Sequence, residues 1–184
     1  KIDVPVVVIG NISVGGAGKT PLTKALAADL IARGIKVGLI LRGYKGSADK
    51  ELIVKTSNSS TIVGDEAMIY AQAGFRVAIG RKRVAAAQLL LHEYPDTQLI
   101  LADDGMQHYY LHRDMEICVV DSSRMFGNQQ LLPLGPLRES MNRLKSVDAI
   151  VVNGYENQDV LLNTLAKYKA PVHYQVLEFV HFYN

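Results

Sequence analysis

The chain carries, directly after a short apolar run, the stretch Ser13-Val14-Gly15-Gly16-Ala17-Gly18-Lys19-Thr20. Its glycines let the backbone curl with N–H groups pointing inward, which is how such a loop holds a phosphate group. A segment with helical periodicity follows, and its start adds the positive end of a helix dipole. Lys19 is placed to reach the outer phosphates of a nucleotide, and the Thr20 hydroxyl is placed to ligate Mg²⁺. Residues 13–20 therefore form a predicted nucleotide-binding phosphate loop, in which Lys19 is also a predicted catalytic residue.

The usual pattern of this loop begins with glycine, and Ser13 stands at that position here. The alternative interpretation is a glycine-rich turn before a helix, with an incidental lysine. We favour the phosphate loop because a strand-like run precedes it and a helical segment follows it, which is the context that the motif requires.

Short apolar runs recur along the chain, each bounded by Gly, Asp or Pro. Their hydrophobicity is continuous, which predicts strands covered on both faces of a parallel sheet. Helical segments alternate with them, so the predicted fold is α/β and P-loop NTPase-like: a mostly parallel sheet with helices on both faces. The predicted strands are 4–9, 37–41, 76–79, 98–102, 116–120 and 149–152. The predicted helices are 21–33, 65–73, 81–93 and 157–168.

Two stretches interrupt the alternation of strands and helices. Residues 43–60 are polar and predict a loop with a short strand at 52–54. Residues 121–146 contain Pro133, Gly135 and Pro136 and predict a long irregular connection, a kind of segment that is commonly functional. A last strand-like run extends over residues 172–182.

The composition is that of a soluble globular domain. The 184 residues are 48% hydrophobic and 21% charged, which is enough apolar material to bury a core. The 20 basic residues against 18 acidic ones give a net charge of +2, so we expect no nucleic-acid partner. The single cysteine, Cys118, excludes an internal disulfide and lies in an apolar run, which predicts a buried, inert thiol.

A second nucleotide-binding signal follows the apolar run 99–102, which ends in Asp103 and Asp104. A hydrophobic strand that ends in aspartate places a carboxylate near Mg²⁺ in phosphate-loop proteins. The predicted metal ligands are therefore Thr20, Asp103 and Asp104, and the pattern leaves open which aspartate faces the metal. The alternative is an acidic turn after a strand.

The sequence argues against two large classes of phosphate-loop protein. A GTPase would carry an Asn-Lys-x-Asp motif after a late strand, whereas here the strand ends with Asn153-Gly154. A partitioning-type ATPase has lysine immediately before its paired glycines, and that position is Val14. A small-molecule or lipid kinase remains.

Further motifs are spread over most of the chain. They are residues 10–16 (GNISVGG), 41–44 (LRGY), 64–66 (GDE), 103–108 (DDGMQH), 127–128 (GN) and 132–139 (LPLGPLRE). Together these motifs resemble the tetraacyldisaccharide 4'-kinases, the lipid A 4'-kinases of Gram-negative bacteria. The combination is far more specific than a phosphate loop alone.

The resemblance implies a phosphotransferase that uses ATP and Mg²⁺. Its substrate would be an acylated glucosamine disaccharide 1-phosphate, whose 4'-hydroxyl is phosphorylated to give lipid IVA at the cytoplasmic face of the inner membrane. The family usually has an N-terminal membrane helix and a further C-terminal part. We therefore expect residues 1–184 to be a P-loop kinase domain truncated at both ends, whose contact with membrane lipid is made by segments absent here.

The resemblance also assigns Asp65, in the Gly-Asp-Glu motif, as the catalytic base. A carboxylate near the γ-phosphate can accept the proton of the attacking hydroxyl. The alternative is that Asp65 caps the helix it precedes, because Gly-Asp before a helix is favourable capping chemistry.

Six residues are candidate contacts to substrate or nucleotide: Arg42, Tyr44, Arg81, Arg83, Gln107 and His108. The first two follow a strand at the edge where open α/β sheets bind ligands. The arginines of residues 81–83 begin a predicted helix, where a positive charge is unfavourable unless an anion lies nearby. The last two follow the paired aspartates. Solvent-exposed loop arginines and a structural histidine are the alternatives.

Two other functions stay open on the residues alone. One is a regulatory ATPase that hydrolyses nucleotide slowly and acts on a partner, and the other is a kinase for a soluble small molecule. Transfer of label from γ-labelled ATP to a glycolipid, rather than to water or a free sugar, separates the lipid kinase from both.

Overall fold

Eight strands form one sheet in the computed structural model, which describes residues 2–177. The strands are β1 Val6–Gly10, β2 Val37–Leu41, β3 Leu52–Val54, β4 Arg76–Ile79, β5 Leu99–Asp103, β6 Met115–Asp121, β7 Ala149–Asn153 and β8 Val172–Gln175. The helices are α1 Lys19–Ala32, α2 Ser60–Val63, α3 Asp65–Gln72, α4 Arg83–Glu93 and α5 Gln158–Leu165, and Met141–Lys145 is a 3₁₀ helix.

The strands lie in the order β3-β4-β2-β5-β1-β6-β7-β8. Every neighbouring pair is parallel except β3 and β4, which are antiparallel at one edge. The predicted fold class, a mostly parallel α/β sheet, is therefore confirmed.

The two faces of the sheet are covered by different helices. On β1, Val6 and Val8 pack in a cluster that includes residues of α4 and α5. The next residue along, Ile9, packs on the opposite face, where residues of α1 lie against it. Because both faces are buried, adjacent strand residues are all apolar, which is the physical reason for the continuous hydrophobic runs in the sequence.

The elements differ from the sequence-based expectations mainly at their ends. Helix α1 begins at Lys19, two residues before the predicted start, because the phosphate loop leads directly into its first turn. Helix α4 begins at Arg83, so Arg81 lies in the turn before it. The short helix α2 was not predicted. Of the expected strand 172–182, β8 covers 172–175 and residues 178–182 lie outside the described part of the chain.

Parallel packing brings the carboxyl ends of several strands to one edge of the sheet. Ile9 near the end of β1 is in register with Asp103 at the end of β5, and β2 ends beside them on the other side of β5. The phosphate loop follows β1 at this edge. The sheet therefore places the loop and the paired aspartates side by side.

The irregular connection after β6 returns to the same edge. The backbone N–H of Val14 donates to the carbonyl of Pro136 at 2.8 Å, and that of Arg138 donates to the carbonyl of Ile12 at 2.7 Å. Residues 136–138 therefore run alongside the entry to the phosphate loop.

Cys118 lies in the middle of β6 and is fully buried, as the sequence predicts. Burial raises the pKa of its thiol to about 12, so the thiol is inert at neutral pH. Within residues 2–177, no helix combines the length and the apolarity needed to cross a bilayer.

Candidate functional site

A cavity of about 690 Å³ opens at the carboxyl edge of the sheet, above the ends of β1, β2 and β5. Phosphate-loop residues and both paired aspartates line it. The complete lining is Gly15, Gly16, Lys19, Thr20, Leu41, Arg42, Tyr44, Glu66, Arg81, Asp103, Asp104, Gln107, His108, Leu132 and Arg138.

The phosphate loop has the backbone conformation that an anion cradle needs. Gly15 and Gly18 have φ angles of 95° and 87°, in the left-handed region that favours glycine. Among the hydrogen bonds of residues 2–177, none uses an amide N–H of residues 15–18 as its donor. These N–H groups are therefore available to a phosphate, which is the observation that fits this loop to a nucleotide.

Four residues of the predicted loop, Ser13, Val14, Ala17 and Gly18, do not line the cavity. Ala17 is buried in the core between α1 and the sheet. Ser13 forms an isolated bridge with Leu137, and neither Ser13 nor Val14 lines the cavity. Their part in nucleotide binding stays a prediction.

Lys19 lies at the centre of the cavity floor. Its Nζ atom donates to Oδ1 of Asn11 at 3.1 Å and lies 3.3 Å from Oδ1 of Asp104. The ammonium group is thus held between the residue after β1 and the residue after β5, and Lys19 lines the cavity.

The paired aspartates have different environments. Asp103 is 3% exposed, and each of its oxygens accepts a hydrogen bond: Oδ2 from the Tyr70 hydroxyl at 2.6 Å, and Oδ1 from the N–H of Asp104 at 2.9 Å. Burial raises the pKa of Asp103 to about 6, although the hydrogen bond from Tyr70 opposes this.

Asp104 projects further into the cavity, from a backbone with a φ of 50°. Its carboxylate lies between Lys19 and Arg138, whose Nη1 atom is 3.3 Å from both carboxylate oxygens. Burial alone would raise the pKa of Asp104, but Lys19 and Arg138 together hold it below its usual value. Asp104 is therefore ionised at neutral pH.

The residues present can hold Mg²⁺ only with help from a substrate. No group of three or more His, Cys, Asp or Glu residues with metal-site geometry occurs in the part of the chain that the structure describes. Thr20, Asp103 and Asp104 nevertheless line one cavity beside the phosphate loop. Mg²⁺ is commonly held in this way, by one or two carboxylates together with substrate phosphates.

Asp65 and its neighbour Glu66 point in different directions at the start of α3. Glu66 lines the cavity, and Asp65 is exposed and is not among the lining residues. Glu66 shares a helix face with Tyr70, four residues later, whose hydroxyl reaches Asp103. Asp65 lies about 100° around the helix from that face.

The capping alternative for Asp65 is wrong. Gly64 occupies the N-cap of α3, no side-chain hydrogen bond caps the helix, and Asp65 is the first helical residue. A carboxylate in the first turn still interacts favourably with the helix dipole, but it does not satisfy a backbone N–H as a cap does.

Five of the six candidate substrate residues line the cavity: Arg42, Tyr44, Arg81, Gln107 and His108. The Nε2 atom of Gln107 donates to the carbonyl of Asn11 at 3.0 Å and to Oε1 of Glu139 at 2.7 Å. Burial and the nearby Arg83 and Arg42 lower the pKa of His108 to about 4, although Asp104 opposes the shift. The His108 ring is therefore neutral at pH 7.

Arg83 does not line this cavity. It is 2% exposed and lines a neighbouring cavity of about 430 Å³, which also includes Arg81 and His108. Its Nη1 atom donates to the carbonyl of Gly80 at 2.6 Å, whereas its Nε and Nη2 atoms have no hydrogen-bond partner within residues 2–177. Burial lowers the pKa of this guanidinium to about 10, which leaves it charged.

Sequence reasoning did not select Glu66 or Arg138 as site residues. Both lie in motifs quoted above, Glu66 in residues 64–66 and Arg138 in residues 132–139, and this is the signal that could have singled them out. The contact of Arg138 with Asp104 has no local signal, since it forms only through the return of an irregular connection. Arg138 and Glu139 are adjacent in the chain but pair with different partners: Arg138 with Asp104, and Glu139 with Arg143.

Comparison with known proteins identifies close relatives. The family model for Tetraacyldisaccharide-1-P 4'-kinase matches residues 1–181. A curated relative named tetraacyldisaccharide 4'-kinase from Chromobacterium violaceum is 57% identical over 154 residues, which is 84% of this chain and 45% of the relative. Another of the same name from Psychrobacter arcticus is 50% identical over 170 residues, 91% of this chain and 43% of the relative. The chain thus spans about half the length of the curated relatives it matches.

Solved structures show the same fold. The crystal structure of LpxK from Aquifex aeolicus in complex with ATP has a TM-score of 0.76 and 31% identity, covering 92% of this chain and 53% of that chain. The signal recognition particle receptor FtsY from Elizabethkingia anophelis, in complex with GDP, has a TM-score of 0.58 at 16% identity, covering 94% and 57%. At 16% identity, the match to FtsY supports only the fold.

Proposed function

The chain belongs to the tetraacyldisaccharide-1-P 4'-kinase family, and from that premise we propose that its protein transfers the γ-phosphate of ATP to the 4'-hydroxyl of a tetraacylated glucosamine disaccharide 1-phosphate. The product is lipid IVA. Family membership does not favour the regulatory ATPase or the kinase for a soluble molecule, since the relatives above are named as kinases of this lipid.

One observation carries the proposal: free loop N–H groups, a lysine and two carboxylates converge on one cavity. Lys19 and Asp104 lie 3.3 Å apart in a cavity that Gly15 and Gly16 also line. Phosphoryl transfer needs little covalent chemistry from a protein, so positioning and charge neutralisation are what the site must supply. A cationic lysine beside inward-facing N–H groups supplies both for a triphosphate.

The donor side of the site follows from these contacts. The N–H groups of residues 15–18 bind phosphate oxygens, and Lys19 neutralises charge on the outer phosphates. Thr20, Asp104 and Asp103 are the residues that would hold Mg²⁺, which would neutralise phosphate charge when bound. Asp104 is the better placed aspartate, because its side chain is 38% exposed at the cavity, whereas Asp103 is 3% exposed.

The acceptor side needs a base and groups that orient the sugar. Asp65 accepts the proton of the 4'-hydroxyl, the sugar oxygen forms the new bond to phosphorus, and the bond from that phosphorus to the bridging oxygen of ADP breaks. Tyr44, Gln107 and the neutral His108 ring offer hydrogen-bonding groups to the acceptor at the cavity wall.

The arginines give the acceptor side an affinity for anions. Arg42 and Arg81 line the main cavity, and Arg83 lines the neighbouring one with two unpartnered guanidinium nitrogens. A buried guanidinium without partners is costly, and an anionic oxygen of substrate or nucleotide relieves that cost. We assign these three residues to phosphate oxygens at the substrate end.

The longer protein and its location at the membrane are part of the same proposal. Residues 1–184 are the phosphate-loop kinase domain of a longer protein, which acts at the cytoplasmic face of the inner membrane and contacts lipid through other segments. Both the lipid substrate and the membrane location come from family membership.

The proposal is tested by phosphate transfer in the full-length protein. With γ-labelled ATP and detergent-solubilised tetraacyldisaccharide 1-phosphate, we expect label in a glycolipid product. Lys19→Ala should lower the rate by orders of magnitude because the phosphate charge is no longer neutralised. Lys24→Ala, which removes an exposed lysine from the same helix, should leave the rate unchanged. Label found only in free phosphate, or accepted equally by free sugars, would overturn the proposal.

A further inference from the structure

The connection between β5 and β6 carries three residues of the cavity but has no regular structure. Residues 104–114 contain Asp104, Gln107 and His108, and none of them is in a helix or strand. A loop of this kind moves more easily than the elements it joins. Its position at the cavity therefore depends on specific side-chain contacts.

Arg113 provides the first of these contacts. Its guanidinium donates to three carbonyls of the same loop: those of Met106 at 3.1 Å, His108 at 2.6 Å and Leu111 at 3.3 Å. The guanidinium of Arg113 thus links three positions of the loop. The geometry uses all three nitrogen atoms of the planar guanidinium, whereas lysine donates from a single nitrogen.

Glu116 holds Arg113 in place. It is the second residue of β6, is 3% exposed, and accepts a hydrogen bond from Nη1 of Arg113 with one carboxylate oxygen. Its other oxygen accepts from Nη2 of Arg143, in the 3₁₀ helix. One buried carboxylate therefore joins two guanidinium groups to a central strand.

Arg143 extends the contact to the cavity wall. Its Nε atom forms an ion pair with Oε2 of Glu139 at 3.1 Å, and Oε1 of Glu139 accepts a hydrogen bond from Gln107. Gln107 also donates to the carbonyl of Asn11, whose side chain accepts from Lys19. A continuous series of polar contacts thus runs from Glu116 to the lysine of the phosphate loop.

Charge balance makes Glu116 the critical member of this series. Glu116 and Glu139 are the carboxylates that balance Arg113 and Arg143, and the side chains of all four are between 4% and 16% exposed. Removing one partner of a buried ion pair leaves an uncompensated charge that the structure must move to accommodate. With a neutral side chain at this position, Arg113 and Arg143 would lose the carboxylate that they share.

We propose that Glu116 is a positioning residue for the kinase reaction: through Arg113 it holds residues 104–111 at the cavity, and through Arg143 and Glu139 it holds Gln107. The expected loss of kcat/KM rests on the proposed function. The expected loosening of residues 104–111 rests on the contacts alone. Glu116 does not touch substrate, since it is buried behind the loop and does not line the cavity.

The test compares Glu116→Gln with Asp96→Asn in the full-length protein. Asp96 accepts two hydrogen bonds from Arg76 at 2.6 and 3.0 Å at the opposite edge of the sheet, so its variant also removes one carboxylate from an arginine pair. In Glu116→Gln we expect faster amide hydrogen exchange confined to residues 104–111. We also expect kcat/KM for the glycolipid to fall about 10- to 100-fold, because a misplacement of about 1 Å can cost 100-fold. KM for ATP should rise as well, because Asp104 belongs to the same loop and lies beside Lys19. Asp96→Asn should match wild type in all three measurements.

A second variant covers the case in which Glu116→Gln does not fold. Arg113→Lys keeps a positive charge beside Glu116, but its three donors share one nitrogen and cannot serve the three carbonyls and Glu116 together. It should show the same local exchange and the same loss of kcat/KM. A purely structural role would lower thermal stability while leaving kcat/KM of the folded enzyme unchanged, and that result would overturn the proposal.

Hydrogen exchange separates this inference from the proposed function. If the wild-type protein does not phosphorylate the glycolipid, the proposed function fails, while exchange at residues 104–111 still reports whether Glu116 holds the loop. Exchange that stays at the wild-type rate in both variants would refute the positioning role, whatever the activity.

Discussion

At the scale of single residues, the main contrast is between the neighbouring carboxylates Asp65 and Glu66. Both are exposed, but Glu66 lines the cavity, whereas Asp65, one helical step away, does not. The assignment of Asp65 as the base comes from its motif, and it is open to a direct test.

We expect Asp65→Asn in the full-length protein to keep ATP affinity near wild type and to lower kcat by about 10²- to 10⁴-fold, as for loss of a general base. Asp104→Asn should weaken ATP binding as well as lower kcat, since Asp104 contacts Lys19, and raising Mg²⁺ should recover part of the loss. Calorimetric titration measures the ATP affinity of each variant, and steady-state kinetics measure its kcat. Full kcat in Asp65→Asn would move the base elsewhere, with Glu66 the nearest carboxylate in the sequence.

His108 gives a prediction about stability and pH. The pKa of an unperturbed histidine is near 6.5. In the folded chain, burial and the nearby Arg83 and Arg42 lower the pKa of His108 to about 4. The folded state therefore binds fewer protons than the unfolded state between these values, and the stability present above pH 6.5 is lost as the pH falls towards 4. In His108→Gln, thermal melts between pH 7 and pH 4.5 should fall less steeply than in wild type. Parallel curves for the two proteins would contradict the lowered pKa.

At the scale of elements, Tyr70 connects three parts of the site. It is fully buried on α3, its hydroxyl donates to Oδ2 of Asp103 at the end of β5, and it lies 3.2 Å from the carbonyl of Thr20 in α1. Burial, with Asp103 beside it, raises the pKa of Tyr70, so the hydroxyl stays protonated and remains a donor.

We expect Tyr70→Phe to lower the free energy of unfolding by about 1 to 3 kcal/mol, because a buried carboxylate loses a hydrogen bond. Tyr155→Phe removes the hydroxyl of an exposed tyrosine and should change the free energy of unfolding little. Chemical denaturation of both variants makes the comparison. If the two variants have equal stability, the hydroxyl of Tyr70 does not hold the three elements together.

At the scale of the whole molecule, the cavity is open along Tyr44 and Leu132, which are 63% and 53% exposed. The curated relatives are about twice as long as this chain. We propose that other parts of the full-length protein complete the acceptor side of the site.

The 184-residue chain on its own should accordingly bind ATP weakly or not at all and should not phosphorylate the glycolipid. The comparison is with the full-length protein under the same detergent and Mg²⁺ conditions. Glycolipid kinase activity in the shorter chain would show that residues 1–184 suffice for the reaction.

Much of the fold could be predicted because its signals are local. The run 37–41 is a strand in both the prediction and the structure, and so are 52–54 and 76–79. The phosphate loop is likewise a contiguous motif, in which Gly15 and Gly18 adopt the positive φ angles that glycine adopts most easily. Each of these features depends on neighbouring residues in the chain, so the sequence was sufficient to establish it.

The direction of individual side chains at the site depended on the folded chain. Arg83 was expected at the substrate site, but the start of α4 turns it into a separate cavity. Arg138 reaches Asp104 across 34 positions of sequence, and Glu116 reaches Arg143 across 27. Such contacts form only when the irregular connection after β6 packs back against the phosphate loop, and no periodicity in the sequence encodes that path. Composition and motif therefore established which chemical groups the chain possesses, whereas long-range packing determined which of them meet.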